Sequence, residues 1–221
     1  MHIFITGTDT NVGKTLVASW LCLHTGYDYF KPIQTGSIEG TDSNQILKLS
    51  KNYNQPNKQN NNKNYKNIIV HKETYLYQEA VSPHLAAKLN NQIIDISKIQ
   101  IPTNVNDLII EGAGGVLTPI NQQLLMADLI KQLSVSVILV ARSSLGTINH
   151  TLLSLEVLRV RKINILGVVV SGELNQDNCD AIEWYGKIKV LAQVPMLKNI
   201  NTESLLDIPL SFELNKIITS F

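Results

Sequence analysis

The first fifteen residues constrain this chain most. Residues 2–6 (His-Ile-Phe-Ile-Thr) read as a short apolar strand, residues 7–13 (Gly-Thr-Asp-Thr-Asn-Val-Gly) as a polar loop bounded by glycines, and Lys14-Thr15 as the opening of a helix. A strand that runs through a glycine-bearing loop into a helix, with Gly-Lys-Thr at the junction, is the phosphate-binding arrangement of parallel α/β sheets. Gly13 lets backbone amides approach phosphate oxygens, and the new helix adds partial positive charge at its N-terminus. Lys14 can reach the β- and γ-phosphates, and the Thr15 hydroxyl can ligate Mg²⁺. ATP, or a close relative, with Mg²⁺ is therefore the expected ligand. One position departs from the pattern GxxxxGK[ST]: Thr8 stands where its first glycine belongs, with Gly7 one place earlier.

Downstream, short apolar runs alternate with longer amphipathic stretches, which predicts strand–helix units around a parallel sheet. Strands are expected at 2–6, 27–31, 107–111, 136–141, 165–170 and 189–193, and helices at 14–24, 42–51, 82–90, 126–134, 147–162 and 177–187. Several strands are apolar along their whole length, as strands covered on both faces are. The predicted class is α/β: a single-domain, mostly parallel sheet with helices on both faces. At 221 residues, 44% hydrophobic, the chain suits one such domain over 1–221, and it shows no internal repeat. Residues 50–67, rich in Asn and Lys, have almost nothing to bury and predict a low-complexity surface insertion.

A net charge of +1 gives no electrostatic reason to expect nucleic acid or an anionic membrane as partner. The N-terminus lacks a basic stretch and a long apolar run, so neither a signal peptide nor a spanning helix is expected, and the predicted location is cytoplasmic. Cys22 and Cys179 lie far apart without metal-ligand spacing and read as two buried, reduced thiols.

Magnesium beside a triphosphate takes one or two carboxylates as well as the loop hydroxyl. Glu111 closes the apolar run Leu108-Ile109-Ile110 and precedes Gly112-Ala113-Gly114-Gly115. A carboxylate at the carboxyl end of a parallel strand faces the crevice where ligands bind, and the glycines allow close approach of backbone. Asp42 opens the helix at 42–51, where spacing alone favours an N-cap. Lys31 closes the second strand, and Pro32 biases it to extended backbone. A lysine there can stabilise charge on a transferring phosphoryl group, although composition alone reads it as an exposed strand-end lysine. Thr35 supplies a hydroxyl in the same turn, with a solvated turn hydroxyl as its alternative.

Taken together, these segments resemble the dethiobiotin synthetase family. The matching stretches are GTDTNVGKT at 7–15, KPIQTG at 31–36, TDS at 41–43, SPH at 82–84, EGAGG at 111–115, LGTINH at 145–150 and VPML at 194–197. The departure at Thr8 is the family's own form of the loop. The resemblance implies synthesis of dethiobiotin from 7,8-diaminononanoate, CO₂ and ATP. An amine captures CO₂ as a carbamate, the carbamate oxygen attacks the γ-phosphoryl group, and the second amine closes the cyclic urea on the mixed anhydride.

The resemblance further implies that Lys31 and Lys14 are the catalytic lysines and that Thr35 contacts the substrate. Thr15, Asp42 and Glu111 would ligate magnesium. Nucleotide contacts would come from Asn11, Val12, Gly13, Lys14, Thr15, Leu16, Asp42, Glu111, Gly112, Ala113, Gly114, Ser171, Gly172, Pro195, Met196 and Leu197. The site would lie at the interface of a homodimer, with 145–150 contributing from the neighbouring subunit; Asn149 and His150 would serve that interface, His150 as a structural residue or a substrate contact. The family often places an adenine-reading Asn where Ser171 stands, and Ser171 cannot present the amide's paired donor and acceptor. Asn175, four residues on, could substitute.

The main rival is a nucleotide-switch ATPase of the partitioning or septum-positioning type. Those proteins carry an extra loop lysine in KGGxGKT where this chain has Asp9. A cobalamin-type amidotransferase would need a glutaminase domain for which this length leaves no room.

Overall fold

A computed structural model describes residues 1–53 and 67–219. In chain order the elements are β1 (His2–Gly7), α1 (Lys14–Thr25), β2 (Asp28–Phe30), β3 (Ile33–Gln34), α2 (Asp42–Tyr53), β4 (Val70–His71), β5 (Tyr75–Leu76), α3 (Pro83–Leu89), β6 (Leu108–Gly115), α4 (Met126–Leu133), β7 (Ser136–Arg142), α5 (Thr147–Val160), β8 (Ile165–Gly172), α6 (Gln176–Gly186), β9 (Val190–Pro195), α7 (Thr202–Leu206) and α8 (Phe212–Thr219). Seven strands form one sheet in the order β4-β2-β6-β1-β7-β8-β9, and β3 pairs with β5 in a small second sheet. Among the described residues every pairing between these strands is parallel.

Alternation along each strand divides the core in two. Phe4, Ile110, Leu139 and Val168 face one cluster, while Ile3, Ile5, Ile109, Ile138, Val140 and Val169 face the other, under α1. Both faces are covered, which explains why the strands read as unbroken apolar runs. The chain steps from β1 to β2 on one side, returns to β6, and then crosses to β7 on the other. That reversal opens a crevice at the carboxyl ends of β1 and β6, where α/β sheets bind ligands.

The expected strands correspond to β1, β2, β6, β7, β8 and β9, and the expected helices to α1–α6. The two-residue strands β3, β4 and β5 are too short to show a period. Helices α7 and α8 fold back on the α1 face, with Leu205 and Leu214 fully buried. Of the predicted insertion, residues 54–66 lie outside the described residues, and residues 50–53 continue α2. Cys22 and Cys179 are buried free thiols. Among the described residues no helix is long and apolar enough to cross a membrane.

Candidate active site

The loop after β1 is held open by two left-handed residues, Asn11 at φ 57° and Gly13 at φ 93°. Gly13 has no side-chain capping bond to offer α1, so the amides of the first turn face the crevice without a side-chain acceptor. Such an end is an anion site. Gly13 also allows close contact with β8: a Cβ built there would meet Ser171 Oγ at 2.5 Å. Val12 anchors the loop in the core. Leu16, partly buried, both packs on that core and lines the crevice.

A cleft of about 930 Å³ opens in front of the loop. Asn11, Gly13, Lys14, Thr15, Leu16, Lys31, Thr35, Asp42, Glu111, Ala113 and Gly114 all line it. Thr15 Oγ1 lies 3.0 Å from Asp42 Oδ1 and 2.8 Å from Glu111 Oε1, and its one proton bonds to either carboxylate. Lys31 Nζ lies 2.5 Å from Asp42 Oδ2 and 3.0 Å from Glu111 Oε1, and also donates to Gly112 O at 3.3 Å. Lys31 is only 4% exposed and Glu111 1%, so Lys31 is not the solvent-exposed strand-end lysine that composition alone suggests.

Three local expectations change. Asp42 is not the cap of α2: Asn44 N–H bonds to Thr41 Oγ1 at 3.0 Å, so Thr41 caps the helix and Asp42 is left to face the cleft. Glu111 does not end its strand, because β6 continues through Gly112, Ala113 and Gly114 to Gly115. An irregularity between β1 and β6 lets Ile5 pair with Glu111 and Gly7 with Gly115, so backbone expected as loop stays in the sheet. Asn175 is held at the start of a helix. Its side chain accepts from Asn178 N–H at 2.9 Å and caps α6.

Ser171 and Gly172 pair with Val194 and Pro195 at the carboxyl ends of β8 and β9. Ser171 stands against Gly13 of the phosphate loop, and neither it nor Gly172, exposed Met196 or core-packed Leu197 is part of the cleft lining. Sequence reading missed two polar residues. Gln34 accepts from Asp42 N–H at 3.0 Å and donates to Thr35 O at 2.7 Å, tying the two segments together. Tyr29 donates to Glu111 Oε2 at 2.7 Å. Both sit in strands where alternation explains a buried residue without revealing its polar partner.

The electrostatics separate the two lysines. Burial pulls the Lys14 ammonium down to about 8; Glu111 opposes this and Lys31 adds to it. Burial also acts to lower Lys31, yet Glu111 and Asp42 outweigh it and hold Lys31 above the ordinary lysine value. Burial, then the Glu111 charge, push the Tyr29 hydroxyl well above its usual value, so it remains a donor. Two cations, Lys14 and Lys31, face three carboxylates on the cleft lining, Glu39, Asp42 and Glu111, a balance that suits phosphate charge only with a further cation.

Thr15, Asp42 and Glu111 form an all-oxygen donor set. Their 2.8 and 3.0 Å separations match the ~3 Å edge of an octahedron with bonds of about 2.1 Å, the geometry Mg²⁺ demands. No cluster of three His, Cys, Asp or Glu able to hold a metal occurs among the described residues. Water and phosphate oxygens usually complete the shell of Mg²⁺ at a site of this kind.

Residues 1–204 match a family model described as an AAA domain. The chain is 55% identical over 217 residues to the ATP-dependent dethiobiotin synthetase BioD of Lawsonia intracellularis, covering 98% of each chain. It is 42% identical to the protein of the same name from Paramagnetospirillum magneticum, covering 94% of each. Among solved structures it resembles a ParA family ATPase from Chlorobium tepidum, with TM-score 0.55, 13% identity and coverage of 99% of this chain and 96% of that one. At that identity the likeness speaks for the fold alone.

Proposed function

The chain belongs to the ATP-dependent dethiobiotin synthetase family, and from that membership we propose that it makes dethiobiotin from 7,8-diaminononanoate, CO₂ and Mg-ATP, with release of ADP and phosphate. The observation that carries this reading is the convergence of Lys14, Lys31, Thr15, Asp42 and Glu111 in one cleft. A nucleotide switch would need a loop lysine at position 9, where Asp9 stands.

Phosphoryl transfer asks a protein for positioning and charge neutralisation more than for covalent chemistry. In this reading Lys14 binds the β- and γ-phosphates. Lys31, rigidly held and permanently charged, lies against the carbamate oxygen and the γ-phosphoryl group as negative charge shifts between them. Thr15, Asp42 and Glu111 would hold Mg²⁺, which when bound neutralises phosphate charge. The α1 N-terminus and the Gly112–Gly114 backbone approach the nucleotide, and Thr35 contacts the diamine. Gln34 holds Asp42 and Thr35 in register. Ser171, Gly172, Pro195, Met196 and Leu197 flank the nucleotide at its base end.

We further infer a cytoplasmic homodimer, without nucleic acid or membrane as partner. The support is a hollow of about 460 Å³ lined by Thr8, Leu117, His150, Leu153 and Val157 beside the loop, with Leu145 97% and Leu153 59% exposed. Residues 145–150 lead into α5, which begins at Thr147, and His150 reaches the hollow.

The deciding experiment is detection of dethiobiotin from diaminononanoate, bicarbonate and Mg-ATP, repeated with GTP and CTP. Formation of the cyclic urea with equimolar ADP is expected. Nucleotide hydrolysis without urea formation would overturn the assignment, and the comparison of nucleotides reports what Ser171 does to base preference.

A further inference from the structure

The roles above leave the buried phenol of Tyr29 unused. Tyr29 is fully buried, in the cluster under α1 that also holds Val17, Leu21 and Ile109. Its backbone pairs in register with Ile109 of β6. Glu111 lies two residues beyond Ile109 on the same face, so strand alternation brings the phenol under the carboxylate. The hydroxyl ends 2.7 Å from Glu111 Oε2, while Oε1 receives Thr15 Oγ1 at 2.8 Å and Lys31 Nζ at 3.0 Å.

We propose that Tyr29 is a positioning residue for the metal ligand Glu111, pinning Oε2 so that Oε1 stays turned toward Thr15 and the phosphate loop. The proposal rests on reading Thr15, Asp42 and Glu111 as the magnesium site. A glutamate's terminal torsion is broad and its two oxygens are equivalent, so burial alone does not fix the angle at which an oxygen meets the cleft. A donor on one oxygen does, and this donor sits on a ring locked by core packing. Partners of this kind commonly govern metal affinity by about 10- to 100-fold. Removing the hydroxyl would also leave a buried carboxylate oxygen without its donor, which favours rotation of the carboxylate plane away from this angle.

The test is Tyr29→Phe, which deletes the hydroxyl and keeps the ring. The readout is Mn²⁺ binding in the presence of ADP, followed by the electron paramagnetic resonance signal of free Mn²⁺. Mn²⁺ affinity is expected to fall about ten-fold or more, while metal-free ADP affinity and the far-ultraviolet circular dichroism spectrum hold and turnover recovers at saturating Mg²⁺. Mn²⁺ affinity within two-fold of wild type would overturn the proposal.

Glu111→Gln separates the two levels. If it abolishes tight Mn²⁺ binding and Tyr29→Phe does not, only the role of Tyr29 fails. If Glu111→Gln also leaves Mn²⁺ affinity intact, the metal reading itself fails, and the proposal with it. The double variant Tyr29→Phe/Glu111→Gln carries no carboxylate to orphan, so it is informative even where the single variant folds poorly. It should bind Mn²⁺ no more weakly than Glu111→Gln alone, and a further additive loss would show that Tyr29 does not act through Glu111.

Discussion

Lys14 and Lys31 carry the same charge in one cleft, yet their partners give them different pH behaviour. Lys31 has two carboxylates within 3.0 Å, whereas Lys14 Nζ donates to Asp9 O at 2.9 Å. Bound phosphates favour charged Lys14, so nucleotide binding above pH 8 should draw in a proton. ADP affinity is expected to be flat below pH 8 and to weaken by up to about ten-fold per unit above it. Calorimetric titration in buffers of different ionisation enthalpy would show the proton uptake, and Lys14→Met should lack it. The same shift bears on stability. The folded value near 8 lies below the ordinary 10.5, so the unfolded chain binds more protons between them. The destabilisation from burying this ammonium is therefore complete below pH 8 and is relieved as pH rises from 8 to 10.5. Lys31→Ala should lower kcat by about 10²-fold or more and leave ADP affinity within a few-fold. Near-wild-type turnover in that variant would remove Lys31 from the mechanism.

At the scale of elements, capping decides which polar side chains are available to a ligand. Thr41 satisfies the start of α2, and this lets Asp42, one position later, serve the cleft. At α6 the opposite holds, because Asn175 is spent on the cap. Asn175→Ala should cost about 1 kcal/mol of stability in urea unfolding and leave relative use of ATP, GTP and CTP unchanged. A shift in nucleotide preference would mean that the side chain leaves the helix to meet the base. The continuation of β6 through its glycines follows from contact. A Cβ on Gly112 would come within 2.8 Å of the ring of Phe4, so only glycine lets backbone and core meet there.

For the molecule as a whole, the residues lining the cleft come from segments before residue 46 and after residue 79. Deleting 54–66 and joining the flanks with a short linker should therefore keep turnover within a few-fold, measured as dethiobiotin formed per enzyme. Loss of activity in a folded deletion variant would give that segment a function. The apolar surface at Leu145 and Leu153 belongs to the same scale. Sedimentation should give twice the chain mass, and Leu153→Glu should shift it to the monomer with a loss of turnover. A fully active monomer would refute the shared site.

The sequence by itself determined the phosphate loop, the sheet class and the acid that closes the apolar run of β6. Each is written in a local pattern: glycine spacing before a helix, unbroken apolar runs, and a charged residue at the end of such a run. Sequence left Asp42 between cap and ligand, Lys31 between surface and site, and Asn175 between cap and base reader. Only the tertiary structure put Asp42 and Lys31 against the cleft, because each meets groups many residues away, whereas Asn175 is held by a cap bond three residues long. Asp42 meets Thr15 and Lys31, and Tyr29 meets Glu111 across 82 residues. Local spacing encodes where a side chain points along its own element; it does not encode which distant group completes its hydrogen bonds.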